Sequence, residues 1–147
     1  MPVTPFDRAV GLRVLALHQF IYEKSGGRIG ERIGKSPMLL LQTTGRKTGR
    51  TRTAALLYHR DGGTYVVVGS KGGSDVAPAW LRNLEAHPRV GVQVGVKRFA
   101  AQARVASPEE RRRLWPEMTR LWPQYDRYQS QTERLIPLVI LAPAGEH

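Results

Sequence analysis

The densest chemical feature of the sequence is a stretch with four cationic side chains within seven residues. This basic hairpin reads Thr44-Gly45-Arg46-Lys47-Thr48-Gly49-Arg50-Thr51-Arg52. Its two glycines permit a tight turn and let backbone N–H groups approach a ligand. Guanidinium and ammonium groups bind phosphate and carboxylate through charge-assisted hydrogen bonds. The pattern therefore predicts an anion-binding hairpin, with a solvated basic turn as the alternative.

A second candidate region combines a glycine-rich loop with the helix predicted to follow it. The glycine loop, Ser70-Lys71-Gly72-Gly73, comes directly after a run of valines. Glycines at a strand end let the backbone approach a flat ligand, while Ser70 and Lys71 add a hydroxyl and an ammonium group. Trp80 and Asn83 are three residues apart on the predicted helix and share a face. Core packing is the alternative role for Trp80.

Three aromatic residues form a third feature, because Trp122, Tyr125 and Tyr128 recur every three residues along one helical stripe. Such stripes usually belong to a core, but a phenol keeps a polar tip that suits a pocket wall. The chain has no cysteine, and its four histidines lack metal-ligand spacing. No paired carboxylates or Ser/His/Asp arrangement is evident either. The sequence therefore predicts neither a metal site nor a hydrolase.

The surrounding elements are mostly strands. Apolar runs and alternations predict strands over 38–43, 51–60, 64–70, 90–96, 99–105 and 135–141. A helix is predicted from Pro78 to just before Pro88. Another begins at the N-cap Ser107 and is bent or broken at Pro116, and a further helix covers 118–132. These elements favour a small barrel of mostly antiparallel strands with helical additions.

Composition limits the function classes. The chain has 147 residues, which suits one domain, and a formal charge of +11. Residues 1–60 hold 11 lysines and arginines against 3 acidic residues, so this half attracts a polyanion: nucleic acid, anionic lipid or an acidic ligand. Apolar residues at helical spacing predict an amphipathic helix over 6–22, which either packs on the domain or touches a membrane surface. Without cysteine, signal peptide or membrane-spanning run, the expected location is cytoplasmic.

In this order and spacing, the motifs resemble the deazaflavin-dependent nitroreductase family, small split β-barrel enzymes that use coenzyme F-420. The resemblance runs from about Met38 to Pro143. The segments that carry it are 44–49, 60–63, 70–73, 78–83, 123–129 and 132–137. It implies an α+β, mainly β fold: a split β-barrel of about six mostly antiparallel strands with flanking helices. We expect one domain over 1–147, with an N-terminal amphipathic helix within 1–24 and the barrel core over 38–143.

The resemblance also implies a reaction, hydride transfer from reduced F-420 to an electron-poor small molecule such as a quinone, nitro compound or activated alkene. The basic hairpin would hold the coenzyme's phosphate and glutamyl tail, and the strand end and glycine loop would contact the deazaflavin. The implied cofactor-binding residues are Arg46, Lys47, Thr48, Arg52, Val68, Gly69, Ser70, Lys71, Ala79, Trp80, Leu81, Arg82, Asn83 and Tyr125. The implied catalytic residues are Ser70, Tyr125 and Tyr128, as donors to the acceptor.

Two other functions stay open. One is an FMN-binding split-barrel oxidoreductase, and the other is a basic nucleic-acid-binding module. Nucleic-acid binding expects exposed aromatics among the basic residues, whereas here the charges lie early and the aromatics late, so no nucleic-acid partner is predicted. Members that activate nitro drugs carry a tyrosine where this chain has Trp122, whose ring has a donor but no acceptor. This difference weighs against nitroaromatic reduction. The oligomeric state is not determined by the sequence.

Overall fold

Eight strands and three helices make up the described part of the chain, residues 32–33 and 36–144 of a computed structural model. The strands are β1 (Arg32–Ile33), β2 (Ser36–Thr44), β3 (Thr51–Leu57), β4 (His59–Asp61), β5 (Thr64–Val68), β6 (Arg89–Val94), β7 (Lys97–Val105) and β8 (Leu138–Pro143). The helices are α1 (Ala79–Ala86), α2 (Pro108–Leu121) and α3 (Gln124–Ser130). The helix predicted over 6–22 lies outside the described residues, so the single domain over 1–147 stays a prediction.

The sheet is antiparallel throughout and curls into an open half-barrel. Its order is β1-β2-β6-β7-β8-β5-β4. Strand β3 pairs with β2 on the edge opposite to β6. Within the described residues no ladder joins β3 to β5, so the barrel stays open between them. This confirms the predicted mainly β split barrel with flanking helices. No described helix has the length and apolar content that a membrane span needs.

Strands β5 and β8 are buried on both faces, which explains their continuous apolar runs. Side chains alternate between the two faces of a strand. Tyr65 and Val67 of β5 pack with Leu39, Leu41 and the helix α1 in the barrel core. Val66 and Val68 point the other way and pack with Leu114 and Met118 of α2 and with Tyr125 of α3. The sheet thus presents one layer to its interior and one to the helices that carry the aromatic stripe.

Strand boundaries differ from the predictions where backbone geometry intervenes. The strand predicted over 51–60 is divided at Tyr58, whose N–H donates to the Pro37 carbonyl 3.2 Å away. The strand predicted over 90–96 ends at Val94 because Gly95 turns the chain with φ +61°. The last strand begins at Leu138, after Pro137, rather than at 135. Proline has no N–H for the ladder and is placed before a strand more readily than within one.

The sequence predicted that the helix is bent or broken at Pro116, and the structure shows no break there. Helix α2 continues through Pro116 to Leu121, and the chain breaks only at Trp122 and Pro123. The carbonyl that loses its helical partner belongs to Arg112, which is exposed, so water can satisfy it. Leu114 and Met118 on either side are fully buried and hold the helix against the sheet. The following helix is consequently α3, shorter than the predicted 118–132.

Candidate active site

The basic hairpin is the turn between β2 and β3, whose ladder ends at the pair Thr44 and Thr51. The Gly45 N–H donates to the Arg50 carbonyl at 2.7 Å and closes the turn. Gly49 has φ +74°, a left-handed conformation that favours glycine. The Thr48 hydroxyl accepts the Arg50 N–H at 3.2 Å. The turn is therefore fixed by its own backbone, and its long cationic side chains are left to project from it.

The cations of the basic hairpin have no acidic partners among the residues that the structure describes. Arg46, Lys47 and Arg50 are exposed and Arg52 is half-buried, and none forms an ion pair. Some arginines on other elements do have acidic partners: Arg104 pairs with Glu110, and Arg113 with Asp61. A cluster of like charges without internal compensation is a surface suited to an anionic ligand.

The side chain of Asn83 connects helix α1 to the basic hairpin through hydrogen bonds. Its side chain is 3% exposed, and its Oδ1 accepts the Arg46 backbone N–H at 3.1 Å and the Arg46 Nη1 at 3.4 Å. Its Nδ2 donates to the Thr43 Oγ1 at 3.1 Å. The structure thus brings Asn83 together with Arg46 through partly buried hydrogen bonds that hold the turn in place.

The other predicted residues of α1 divide between core and solvent. Trp80 and Leu81 are buried in the barrel core, so their side chains fill the alternative role of core packing. Ala79 and Arg82 are exposed, and Arg82 Nη1 lies 3.8 Å from Glu85 Oε1. Only Ala79 and Arg82 of this group present side chains to a ligand in solvent.

The glycine loop begins where β5 ends and lies against helix α3. The Ser70 Oγ accepts the Gly73 N–H at 3.0 Å, and Gly72 and Gly73 have φ +61° and +84°. A Cβ on Gly73 would lie 3.0 Å from the Cα of Tyr128, so only glycine permits this close approach. The loop therefore places the half-buried Ser70 beside the helix that carries the tyrosines, while Lys71 is exposed.

A cavity of about 320 Å³, the site cavity, lies where β3 and β5 fail to pair. It brings together Val68, Ser70, Trp122, Tyr125 and Tyr128 from the predicted regions. Its opposite wall, which the sequence did not indicate, consists of Met38, Ala55, Leu56 and Leu57. The walls are apolar except at the serine hydroxyl, the phenols and the indole N–H. This combination suits a flat organic ligand with a polar oxygen.

Tyr125 and Tyr128 form the aromatic side of the site cavity. Their rings meet edge to face with centroids 6.0 Å apart, and Trp122 Nε1 is 3.5 Å from the Tyr128 hydroxyl. Burial, with a smaller contribution from Tyr128, raises the pKa of Tyr125 well above its usual range. Tyr125 therefore stays a neutral phenol that can donate a hydrogen bond at physiological pH.

A larger depression of about 530 Å³, the polar groove, lies on the far side of the glycine loop and is lined by Asp75 and residues 130–134. Thr132 Oγ1 donates to Asp75 Oδ1 at 2.6 Å across it. It contains no aromatic residue and none of the predicted site residues, so the smaller site cavity is the better candidate for a flat ligand. The described residues contain no group of three acidic, histidine or cysteine side chains placed to hold a metal.

Comparison with known proteins assigns the chain to a family. The profile of the family described as F420H(2)-dependent quinone reductase matches residues 14–143, where F420H(2) denotes reduced coenzyme F-420. A quinone reductase of that description from Mycobacterium tuberculosis is 45% identical over 139 residues, covering 92% of this chain and 93% of the relative. The chain belongs to this quinone reductase family. It is accordingly an oxidoreductase, and coenzyme F-420 is its cofactor.

Comparison with solved structures agrees with this family assignment. One titled "Structure of F420-H2 Dependent Reductase (FDR-A)" has a TM-score of 0.67 and 40% identity, covering 71% of this chain and 93% of that one. Another, titled "domain-swapped dimer", has a TM-score of 0.69 and 35% identity, covering 90% and 99%. A putative pyridoxamine 5'-phosphate oxidase from Listeria innocua, at 12% identity and TM-score 0.54, shares the fold alone.

The family refines the resemblance seen in the sequence. That resemblance was to deazaflavin-dependent nitroreductases, whereas the matched family is described by quinone reduction. The arrangement of this chain fits the coenzyme. A basic hairpin without acidic partners among the described residues suits its acidic portion, and the apolar site cavity that Ser70 helps to line suits a flat ring. The individual roles predicted for the site residues stay predictions.

Proposed function

We propose that the site cavity is where this enzyme passes hydride from reduced coenzyme F-420 to a quinone. The observation that carries the proposal is the convergence, at the gap between β3 and β5, of Ser70, Tyr125 and Tyr128 on an otherwise apolar cavity. The bound coenzyme supplies a hydride from C5 of its reduced deazaflavin and is oxidised. The quinone gains that hydride and a proton, and becomes a hydroquinone.

The coenzyme's acidic portion is proposed to lie on the basic hairpin. Arg46, Lys47 and Arg52 would neutralise its phosphate and glutamyl carboxylates, and the Thr48 hydroxyl is available beside them. Support comes from the absence of acidic partners for these cations within 36–144. Asn83 accepts a hydrogen bond from the Arg46 N–H and donates one to the Thr43 hydroxyl. These bonds keep the turn in one position, which lowers the ordering cost of binding.

The acceptor side is proposed to work through hydrogen-bond donation. A quinone oxygen gains negative charge as hydride arrives, and donors held at that position stabilise the developing charge. Tyr125 is neutral and buried, while Tyr128 and Ser70 are half-buried at the same cavity. One of these hydroxyls, or water, delivers the proton that completes reduction. The apolar wall of Met38, Leu56 and Leu57 excludes water from the flat faces of the acceptor.

Trp122 is proposed to narrow the range of acceptors. It lines the site cavity, and its indole N–H points to the Tyr128 hydroxyl at the long distance of 3.5 Å. An indole has no acceptor atom and fills more volume than a phenol. We expect Trp122→Tyr to increase turnover of nitroaromatic acceptors relative to quinones, measured side by side with one coenzyme preparation. An unchanged ratio would contradict a role in acceptor choice.

The direct test is titration of the purified chain with F-420, FMN and duplex DNA at physiological salt, followed by acceptor assays with the reduced coenzyme. We expect F-420 binding, no saturable binding of FMN or DNA, and loss of reduced-coenzyme absorbance when a quinone is added. Tight FMN binding without F-420 binding would favour the FMN alternative. Binding of F-420 with turnover of nitro compounds or activated alkenes but no quinone would confirm the cofactor and contradict the acceptor.

For location, we propose that the enzyme works in the cytoplasm and reaches quinones in the membrane through residues 1–24. The support is the sequence alone: apolar Phe6, Val10 and Leu17 at helical spacing, with basic residues nearby. Deleting 1–24 should abolish co-sedimentation with anionic vesicles and leave coenzyme affinity unchanged. Full-length protein that stays in the supernatant at low salt would contradict the proposal. A truncated protein that is merely less stable would indicate packing on the barrel.

A further inference from the structure

The backbone at Gly69 has an unusual hydrogen-bonding arrangement. The ladder between β5 and β8 ends at the pair Val68 and Leu138, and one step further Gly69 faces Pro137. The Gly69 N–H donates to the Pro137 carbonyl at 2.8 Å. In an antiparallel pair of this kind each residue normally donates to the other. Pro137 has no N–H, so the Gly69 carbonyl cannot receive the second bond from the backbone.

Arg134 supplies the missing donor. Its Nη2 donates to the Gly69 carbonyl at 2.9 Å, across 65 residues of sequence. Gly69 is buried, and a Cβ there would lie 3.0 Å from the Pro137 Cγ, so the two chains are in close contact at this point. The arginine side chain thus takes the place of one backbone hydrogen bond at the last position before Ser70.

The segment that carries Arg134 is also tied to the helix of the aromatic stripe. Gln129 of α3 donates from Nε2 to the Arg134 carbonyl at 2.9 Å. Its Oε1 accepts the Ile136 N–H at 2.9 Å and the Arg111 Nη2 at 3.0 Å. Arg134 therefore links the end of β5, which leads into Ser70, to helix α3, which carries Tyr125 and Tyr128.

Stability alone does not explain this placement. The Arg134 Nε is buried without a hydrogen-bond partner among the described residues. A buried donor left unsatisfied lowers the free energy of unfolding, so a site selected only for stability would avoid it. The arrangement favours a role that uses the single bond to Gly69, namely control of where Ser70 stands.

We infer that Arg134 is a positioning residue for hydride transfer: by replacing the N–H that Pro137 lacks, it fixes the position of Ser70 in the site cavity relative to Tyr125 and Tyr128. This rests on the proposed function, since the position of Ser70 relative to the two tyrosines matters only if coenzyme and acceptor meet there. Misplacement of reacting groups by about 1 Å can cost on the order of a hundredfold in rate.

The test is a double-mutant cycle with Pro137→Ala, which restores a backbone N–H opposite Gly69. Arg134→Met should lower kcat by about tenfold or more, while the Kd of F-420 and the quinone KM change less than about threefold. Adding P137A to R134M should return kcat to within about threefold of P137A alone. Arg127→Met, which removes an exposed cation from helix α3 seven residues before Arg134, is the matched control and should leave kcat unchanged.

A second measurement does not depend on catalysis. Amide hydrogen exchange of 69–73 in the chain without coenzyme should be faster in R134M and return toward that of P137A in the double mutant. If R134M does not fold, Arg134→Lys replaces it in the same cycle. Unchanged exchange, or a kcat loss of the same size with and without P137A, overturns the inference. Wild-type protein that transfers no hydride contradicts the proposed function instead, and the exchange result then decides the inference by itself.

Discussion

The hydroxyls of Tyr125 and Tyr128 are the simplest groups of the site cavity to remove without changing its shape. Replacing each tyrosine by phenylalanine keeps the ring and its packing. We expect at least one of Y125F and Y128F to lower kcat by about tenfold with coenzyme affinity unchanged, because the donated bond strengthens as charge develops on the acceptor. Steady-state kinetics and coenzyme titration measure the two quantities separately.

A buried tyrosine outside the site cavity serves as the control. Tyr65 lies in the barrel core with its hydroxyl accepting from Arg60 at 3.1 Å, so Y65F should affect stability rather than turnover. If the kinetics are unchanged in both Y125F and Y128F, the two tyrosines contribute packing and no catalytic hydrogen bond. Ser70 and the Trp122 indole N–H would then be the remaining side-chain donors among the described residues of this cavity.

At the scale of secondary-structure elements, the sequence predicted those turns, loops and helix starts that short residue patterns specify. The turn between β2 and β3, the glycine loop and the start of α2 at Ser107 were all predicted, because glycine pairs and a Ser-Pro-Glu-Glu pattern specify backbone geometry within a few residues. Continuation of α2 through Pro116 was not, since it depends on burial of Leu114 and Met118 against distant strands. Tertiary contacts decided the helix end there.

The apolar wall of the site cavity shows the same limit. Met38 and Leu57 are partners in the β2–β3 register, and both line the cavity. Alternation along each strand could assign them to one face, but not show that this face borders a gap. That gap exists because, among the described strands, β3 pairs with β2 alone while β5 pairs with β4 and β8. Sheet order of this kind is not displayed by one sequence.

The start of helix α2 gives a stability prediction with a defined pH dependence. Ser107 Oγ accepts the Glu110 N–H, and Glu110 accepts the Ser107 N–H and a bidentate pair of bonds from Arg104. Replacing Ser107 by alanine should lower the free energy of unfolding by about 1 kcal/mol. Chemical denaturation at pH 7 measures this, with coenzyme affinity as the check that the site is intact.

Glu110 determines how that contribution varies with pH. The hydrogen bonds from Arg104 and Ser107 lower the pKa of Glu110 to about 2. A carboxylate whose pKa is lower in the folded state stabilises that state above its unfolded pKa, and the effect is lost as pH falls through the folded value. The stability difference between wild type and Glu110→Gln should therefore be full at pH 6 and shrink from about pH 4.5 toward pH 2. A stability difference that stays constant over this pH range would contradict a stabilising role of the ionised Glu110 at the start of helix α2.

At the scale of the whole molecule, charge and shape are arranged on different principles. The apolar cavity arises from a break in the sheet. The uneven charge arises from composition, because residues 1–60 carry a net charge of +8 and the remainder carries +3. Where the structure describes the chain, acidic residues on α1, α2 and β4 pair with arginines, and the basic hairpin is left uncompensated. The basic hairpin is thus one concentration of cations without described acidic partners, and the coenzyme's acidic portion is proposed to bind there.

This concentration predicts how coenzyme binding depends on salt and on two side chains. Arg46→Ala with Lys47→Ala should weaken F-420 binding by at least tenfold, about 1.4 kcal/mol, with little loss of stability, because both residues are exposed. The wild-type Kd should rise with ionic strength, since exposed charges are screened, and the rise should be smaller in the double variant. Lys97→Ala with Arg98→Ala removes an equal charge from the exposed start of β7 and should leave both Kd and its salt dependence near wild type. Equal effects from the two pairs would indicate general attraction by net charge and would place the anion site away from the basic hairpin.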